Sequence, residues 1–126
     1  MNWRTFFIVA AVYDLVLGAA FFLLYGPIWE LLEIELPNNI AYIHLTAAFV
    51  FVQGVGYWIV ARNPLANRGI VQMGIAYQFA FAALSFYYLA IGELLHPTFL
   101  VFGILDVLFL IGFWWFLSQH REVPAT

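Results

Sequence analysis

Four long apolar runs, each carrying one polar residue near its middle, alternate with short polar breaks along the chain. The first run extends from about Trp3 to Tyr25 and is closed by Gly26-Pro27; the second extends from Ile40 to Arg62, after Pro37-Asn38-Asn39. The third covers Arg68 to Leu95, after Asn63-Pro64-Leu65-Ala66-Asn67, and the fourth Thr98 to Ser118, introduced by His96-Pro97. Runs of this length suit a hydrocarbon core of about 30 Å. In hydrocarbon every backbone amide has to be satisfied within its own segment, so each run is expected to be a helix. The predicted fold is all-α: an integral membrane four-helix bundle forming a single domain over residues 1–126. The third run is long enough to tilt or to project beyond the bilayer.

Between the first two spans, Pro27-Ile28-Trp29-Glu30-Leu31-Leu32-Glu33-Ile34-Glu35-Leu36 reads as a short amphipathic helix beginning at Pro27. Glu30 and Glu33 share one face, and Ile28, Leu31 and Leu32 supply apolar area. It is too short to span and is expected to lie in the interface plane. Asn38 or Asn39 is expected to cap the second span, and Asn67 the third.

The polar residues inside the runs are Asp14, Gln53, Gln78 and Asp106. At about 1.5 Å of rise per residue they come out at one level, roughly 14 to 20 Å from the arginine-bearing ends of their helices. A carboxylate at that depth costs several kcal/mol and needs a partner, water or a proton. Asp14 shares a face with Ala10, Gly18, Phe21 and Tyr25, and Gln53 with Tyr42, Thr46, Phe49 and Tyr57. Gln78 lies on a stripe of small residues, Gly74, Ala82, Ser85 and Gly92, and Asp106 shares a face with Phe99, Phe102, Leu110 and Phe113. The four form either a hydrogen-bonded clasp that fixes helix register or a proton-relay or ligand site. The second span also carries the small residues Gly54 and Gly56, the latter suited to close helix approach. Asp14-Leu15-Val16-Leu17 and Asp106-Val107-Leu108-Phe109 look locally alike, too short a match to establish a repeat.

Composition supports the membrane assignment and sets its orientation. The 126 residues are 66% hydrophobic and only 9% charged, too few charges to coat a water-soluble globule. Arg4, Arg62, Arg68 and Arg121 fall on one side of a four-span arrangement, and Glu30, Glu33, Glu35 and Glu93 on the other. The positive-inside rule therefore puts both termini in the cytoplasm. Arg4, the apolar run and Gly18-Ala19-Ala20 imitate a secretion signal, but Asp14 interrupts the run and it continues to Leu24, so it is read as a retained span. Without cysteine the chain has no disulfide or thiolate site, and four arginines with no lysine offer no patch for nucleic acid.

His44 lies near the outer end of the second span, opposite Gln53, where a neutral imidazole suits haem or a chlorophyll-like pigment. With His96 and Glu93 it makes a candidate loose metal site. Aromatic residues make up 21% of the chain, concentrated in Phe86-Tyr87-Tyr88 and Phe113-Trp114-Trp115-Phe116. They suit interface anchoring and packing, or a flat apolar ligand such as a quinone, carotenoid or sterol, or a lipid, between spans. No nucleophile–base–acid set, phosphate-binding glycine loop or zinc motif is present, and no catalytic residue is assigned.

Leu17-Gly18, Arg62-Asn63-Pro64, the Gly92-Glu93-Leu94 turn and Asp106-Val107-Leu108-Phe109 together resemble the small bacterial four-helix membrane proteins of the DoxX-like superfamily. The resemblance covers most of the chain in layout and rests on short motifs. It implies the bundle and an association with quinone-linked redox systems, with no family catalytic residue to carry over. Three functions are compatible with the sequence. The first is a non-enzymatic accessory or scaffold subunit of a larger membrane complex, with other membrane subunits or further copies as partners. The second is a DoxX-like quinone- or lipophile-binding protein. The third is proton or small-solute transport by a homo-oligomer.

Overall fold

A computed structural model of the chain describes residues 2–94 and 96–120. Arg121, the tail to Thr126 and the expected end of the third span at Leu95 lie outside the described residues. The chain divides into two units, Met1–Arg62 and Asn63–Thr126, and each is built on a pair of long antiparallel helices.

The first unit pairs α1 (Trp3–Leu23) with α3 (Ala41–Arg62), joined through the short α2 (Tyr25–Leu32). The second pairs α4 (Arg68–Ala90), which follows a 3-10 turn over Leu65–Asn67, with α5 (Pro97–Gln119). The all-α class is thus as the pattern predicts, and four helices are long and apolar enough to cross a membrane.

Local chemistry sets the helix ends. Asn2 caps α1 by accepting from the Thr5 amide (3.4 Å), and Asn39 accepts from the Ala41 amide at the start of α3 (2.9 Å). His96 caps α5, its Nδ1 accepting from the Thr98 amide at 3.1 Å, and Pro97 opens the helix where no amide proton is needed. Three expectations are corrected. Asn67 makes no side-chain cap: Asn63 accepts from the Ala66 amide instead, and Asn67 donates back to the Asn63 carbonyl at 2.8 Å. The third long helix stops at Ala90, because Gly92 turns the chain at a φ of 76° before the apolar run is exhausted. The short helix between the first two long ones starts at Tyr25, not Pro27, and its anchor is Trp29, buried edge-on against Phe21 at 5.5 Å, while Leu31 is exposed.

Close backbone approach holds the first pair together. A Cβ built on Gly18 would lie 2.6 Å from the Phe51 nitrogen and 2.8 Å from the Ala47 oxygen. One built on Gly54 would lie 2.7 Å from the Leu15 nitrogen and 3.0 Å from the Ala11 oxygen. Where lipid tails are as apolar as the side chains, such close contacts are what drives helices together. In the second pair, Gly103 faces Ser85, with 3.2 Å between a built Cβ and the serine Cβ.

The two units repeat one design. Arg4, Phe7, Ala10, Asp14 and Gly18 of α1 correspond, at constant spacing, to Arg68, Val71, Gly74, Gln78 and Ala82 of α4. Apart from the arginines, every member of both sets is buried. Tyr13 and Tyr77 correspond at the same spacing. In the second helices Ala47, Gly56-Tyr57-Trp58 and Val60 correspond to Gly103, Gly112-Phe113-Trp114 and Phe116. Tyr57, Phe113, Val60 and Phe116 are all buried, and both tryptophans are exposed. The spacing between the halves shortens from the first helices to the second by eight residues, the length of α2.

Candidate functional site

The helix seams carry the polar residues singled out in the sequence. Asp14 is 4% exposed, Gln78 2% and Asp106 6%, while Gln53 is only half-buried. In the first unit, Gly54 fits between Ala11 and Leu15, so Asp14 and Gln53 stand at the same level of the α1–α3 seam. In the second, the contact of Gly103 with Ala82 and Ser85 sets Asp106 within about one turn of the level of Gln78.

The faces divide differently from expectation. On α3 the buried residues are Ile43, Ala47, Gly54, Tyr57, Val60 and Ala61. Tyr42, Thr46 and Phe49, expected to share a face with Gln53, are exposed, and only Tyr57 of that group is inside. Gly54 explains this, because its backbone contact with α1 fixes the inward face one residue beyond Gln53. The small-residue stripe of α4 is as expected from Gly74 through Gln78 and Ala82 to Ser85, but Gly92 lies beyond the helix. Asp106 is buried with Gly103 and Phe113 on α5.

His44 is held in an aromatic cluster at the end of the first unit away from Arg4 and Arg62. Its ring stacks on Phe22 at 4.6 Å and meets Tyr25 edge-on at 5.2 Å. Phe22 also lines a groove of ≈ 340 Å³ between α1 and α3, floored by Gly18, Ala19, Ala47 and Ala48 and walled by Phe51 and Val52. The groove exists because Gly18 and Ala47 leave no side-chain bulk where the helices touch. His96 is engaged as a cap, its Nδ1 also 2.9 Å from the Thr98 hydroxyl. Among the described residues no three His, Asp or Glu side chains come together as a metal set.

The opposite helix ends carry the arginines, in a role that residue counting did not reveal. Arg4 donates from Nε to the Ala61 carbonyl (3.2 Å) and from Nη2 to the Arg62 carbonyl (3.3 Å). Arg68 donates from Nη1 to the carbonyls of Leu117 (3.4 Å) and His120. Each guanidinium satisfies carbonyls at the C-terminal end of its partner helix, where the helix dipole favours positive charge. The corresponding spacing of Arg4 and Arg68 ahead of Asp14 and Gln78 was the available sequence signal.

No family model, no curated protein and no solved structure matches the chain in comparisons with known proteins.

Proposed function

We propose that the chain is a non-enzymatic accessory or scaffold subunit of a larger membrane assembly. Its place would be the bacterial cytoplasmic membrane, with the arginine-bearing helix ends on the cytoplasmic side. What carries the reading is the division of chemistry on each helix. Polar side chains lie in seams fixed by glycine contacts, while large apolar side chains such as Leu45, Phe49 and Val52 on α3 and Phe79 and Leu84 on α4 face outward. Such faces suit lipid and other membrane helices equally. The orientation draws support from Arg4, Arg62 and Arg68 at helix ends and from the acidic α2 segment at the other end of the first unit. Extraction in a gentle detergent followed by native sizing tests the proposal. Co-migration with larger membrane subunits is expected, and a lone monomer under every extraction condition overturns it.

A second reading, a quinone- or lipophile-binding protein of DoxX-like type, is favoured by one specific feature. The α1–α3 groove is wholly apolar, and Phe22 links its lining to His44, whose imidazole would supply a donor to a ligand carbonyl. Replacing His44 by Phe preserves the ring stack and removes the donor. On this reading the wild-type protein carries quinone or visible absorbance from its membrane and His44→Phe loses it while remaining folded. Equal ligand content in the two proteins eliminates His44 as the donor.

A further inference from the structure

At the arginine end of the first unit, Arg4, Ile8, Trp58, Ala61 and Arg62 line a second pocket of ≈ 280 Å³. Two of the three nitrogens of Arg4 are committed to carbonyls at the end of α3, so its guanidinium is fixed in place. No acidic residue is among the five that line the pocket. Arg62 gives the fold only its backbone carbonyl, and its side chain is exposed. The remaining lining is apolar, and Trp58, 46% exposed, stands one turn before the end of α3, where an interfacial tryptophan is expected in a spanning helix.

We propose that this pocket binds the phosphodiester of an anionic phospholipid, gripped by Arg4 and Arg62 and flanked by Trp58. Charge complementarity selects the ligand. No carboxylate is among the lining residues, the Arg62 guanidinium matches phosphate oxygens in a fork geometry, and Arg4 adds a positive charge held in place. Ile8, Ala61 and the Trp58 ring suit the glycerol and upper acyl segments that accompany the phosphate in a lipid and are missing from free phosphate. A zwitterionic headgroup carries the same phosphodiester but would bring its ammonium towards the two arginines, so an anionic lipid is preferred.

The second unit provides an internal contrast. Arg68, Gln72, Trp114, Leu117 and Ser118 stand at the positions corresponding to the five lining residues. One arginine and one apolar residue are thus replaced by Ser118 and Gln72, and the preference is assigned to the first unit alone.

Native mass spectrometry of the whole protein in mild detergent tests the proposal, with phosphatidylglycerol, phosphatidylcholine and inorganic phosphate titrated separately. The expected result is one phosphatidylglycerol retained in preference to phosphatidylcholine, with inorganic phosphate a poor competitor. Arg62→Gln should lower that retention about fivefold, the worth of one interfacial arginine, with an unchanged thermal midpoint. Trp58→Leu should weaken it without changing the lipid preference. Equal retention of the two lipids, full competition by inorganic phosphate, or undiminished retention in Arg62→Gln would each overturn the assignment.

Discussion

Gly54 of α3 lies so close to Leu15 of α1 that a Cβ added to the glycine would stand 2.7 Å from the Leu15 backbone nitrogen. A backbone atom in a helix cannot swing aside as a side chain does, so the helices would have to separate. Gly54→Ala is expected to destabilise the protein by about 2 kcal/mol, within the usual cost of overpacking. Alanine's better helix propensity, worth about 1 kcal/mol, offsets only part of the strain. Gly18→Ala should behave alike, for its added Cβ meets backbone atoms of Phe51 and Ala47. Gly69→Ala is the control: nothing lies within 4 Å of its built Cβ, and it should be neutral or slightly stabilising. Thermal unfolding in mild detergent separates the three, and a neutral Gly54→Ala would show that the seam is not tightly packed.

Arg4 and Arg68 make the same connection in their respective units, each closing the far end of the antiparallel partner helix. Arg4→Gln should cost about 1 to 2 kcal/mol, since charge-assisted bonds to carbonyls are lost but the site is partly hydrated. Arg68→Gln should cost more, because Arg68 is the less exposed of the two. Lysine at either position should recover part of the loss, keeping the charge without the fork. Arg62→Gln, whose side chain makes no such bond, should leave the unfolding midpoint unchanged. Denaturant or thermal series on the five variants check the order, and equal costs at positions 4 and 62 would refute the capping role.

These contacts show where the sequence was legible and where it was not. The four long helices announced themselves because an apolar run of spanning length has few alternatives in a membrane, and Asn39, His96 and Pro97 marked two starts by chemistry that works locally. The end of α4 was misplaced because Leu89-Ala90-Ile91 stays apolar across a boundary set by the backbone turn at Gly92. Trp29 was missed as an anchor because a tryptophan at an interface reads as a surface residue until its ring is seen against Phe21. The repeat was hidden by its own composition. Identities such as Arg4 with Arg68, Tyr13 with Tyr77 and Trp58 with Trp114 are too few among apolar residues, and α2 shifts the second helices out of register. Burial makes it visible, and it replaces the Asp14–Asp106 likeness: Asp14 corresponds to Gln78, and Asp106 to Val50.

Asp14 and Gln78 therefore hold the same place in their units, each buried among small residues. If that place requires a polar side chain and not a proton carrier, an amide should serve in both. Asp14→Asn is expected to fold with a stability within about 1 kcal/mol of wild type, the scale of an interhelical hydrogen bond in a membrane. Asp14→Leu removes the polar atoms and adds bulk that crowds the Gly54 seam, and should cost about 2 kcal/mol or more. Unfolding midpoints measure this part. Proton flux in liposomes measures the rest: a flux present in wild type and abolished by Asp14→Asn would make the residue a relay and refute the clasp.

The repeat also makes a constructive prediction at the arginine ends. Ser118 of α5 stands where Arg62 stands on α3, and Arg68, Trp114 and Leu117 already correspond to Arg4, Trp58 and Ala61. Ser118 is exposed, and its hydroxyl donates only to the Trp115 carbonyl one turn back, at 2.8 Å, so replacing it disturbs no helix contact. Ser118→Arg supplies the second guanidinium that the second unit lacks. It should add a second retained phosphatidylglycerol in native mass spectrometry, about fivefold above the wild-type background at that stoichiometry, without changing the unfolding midpoint. Combined with Arg62→Gln, it should move the preferred lipid from one unit to the other at constant total. A variant that folds normally yet gains no lipid would mean that the halves share their helix seams but not the chemistry of their ends.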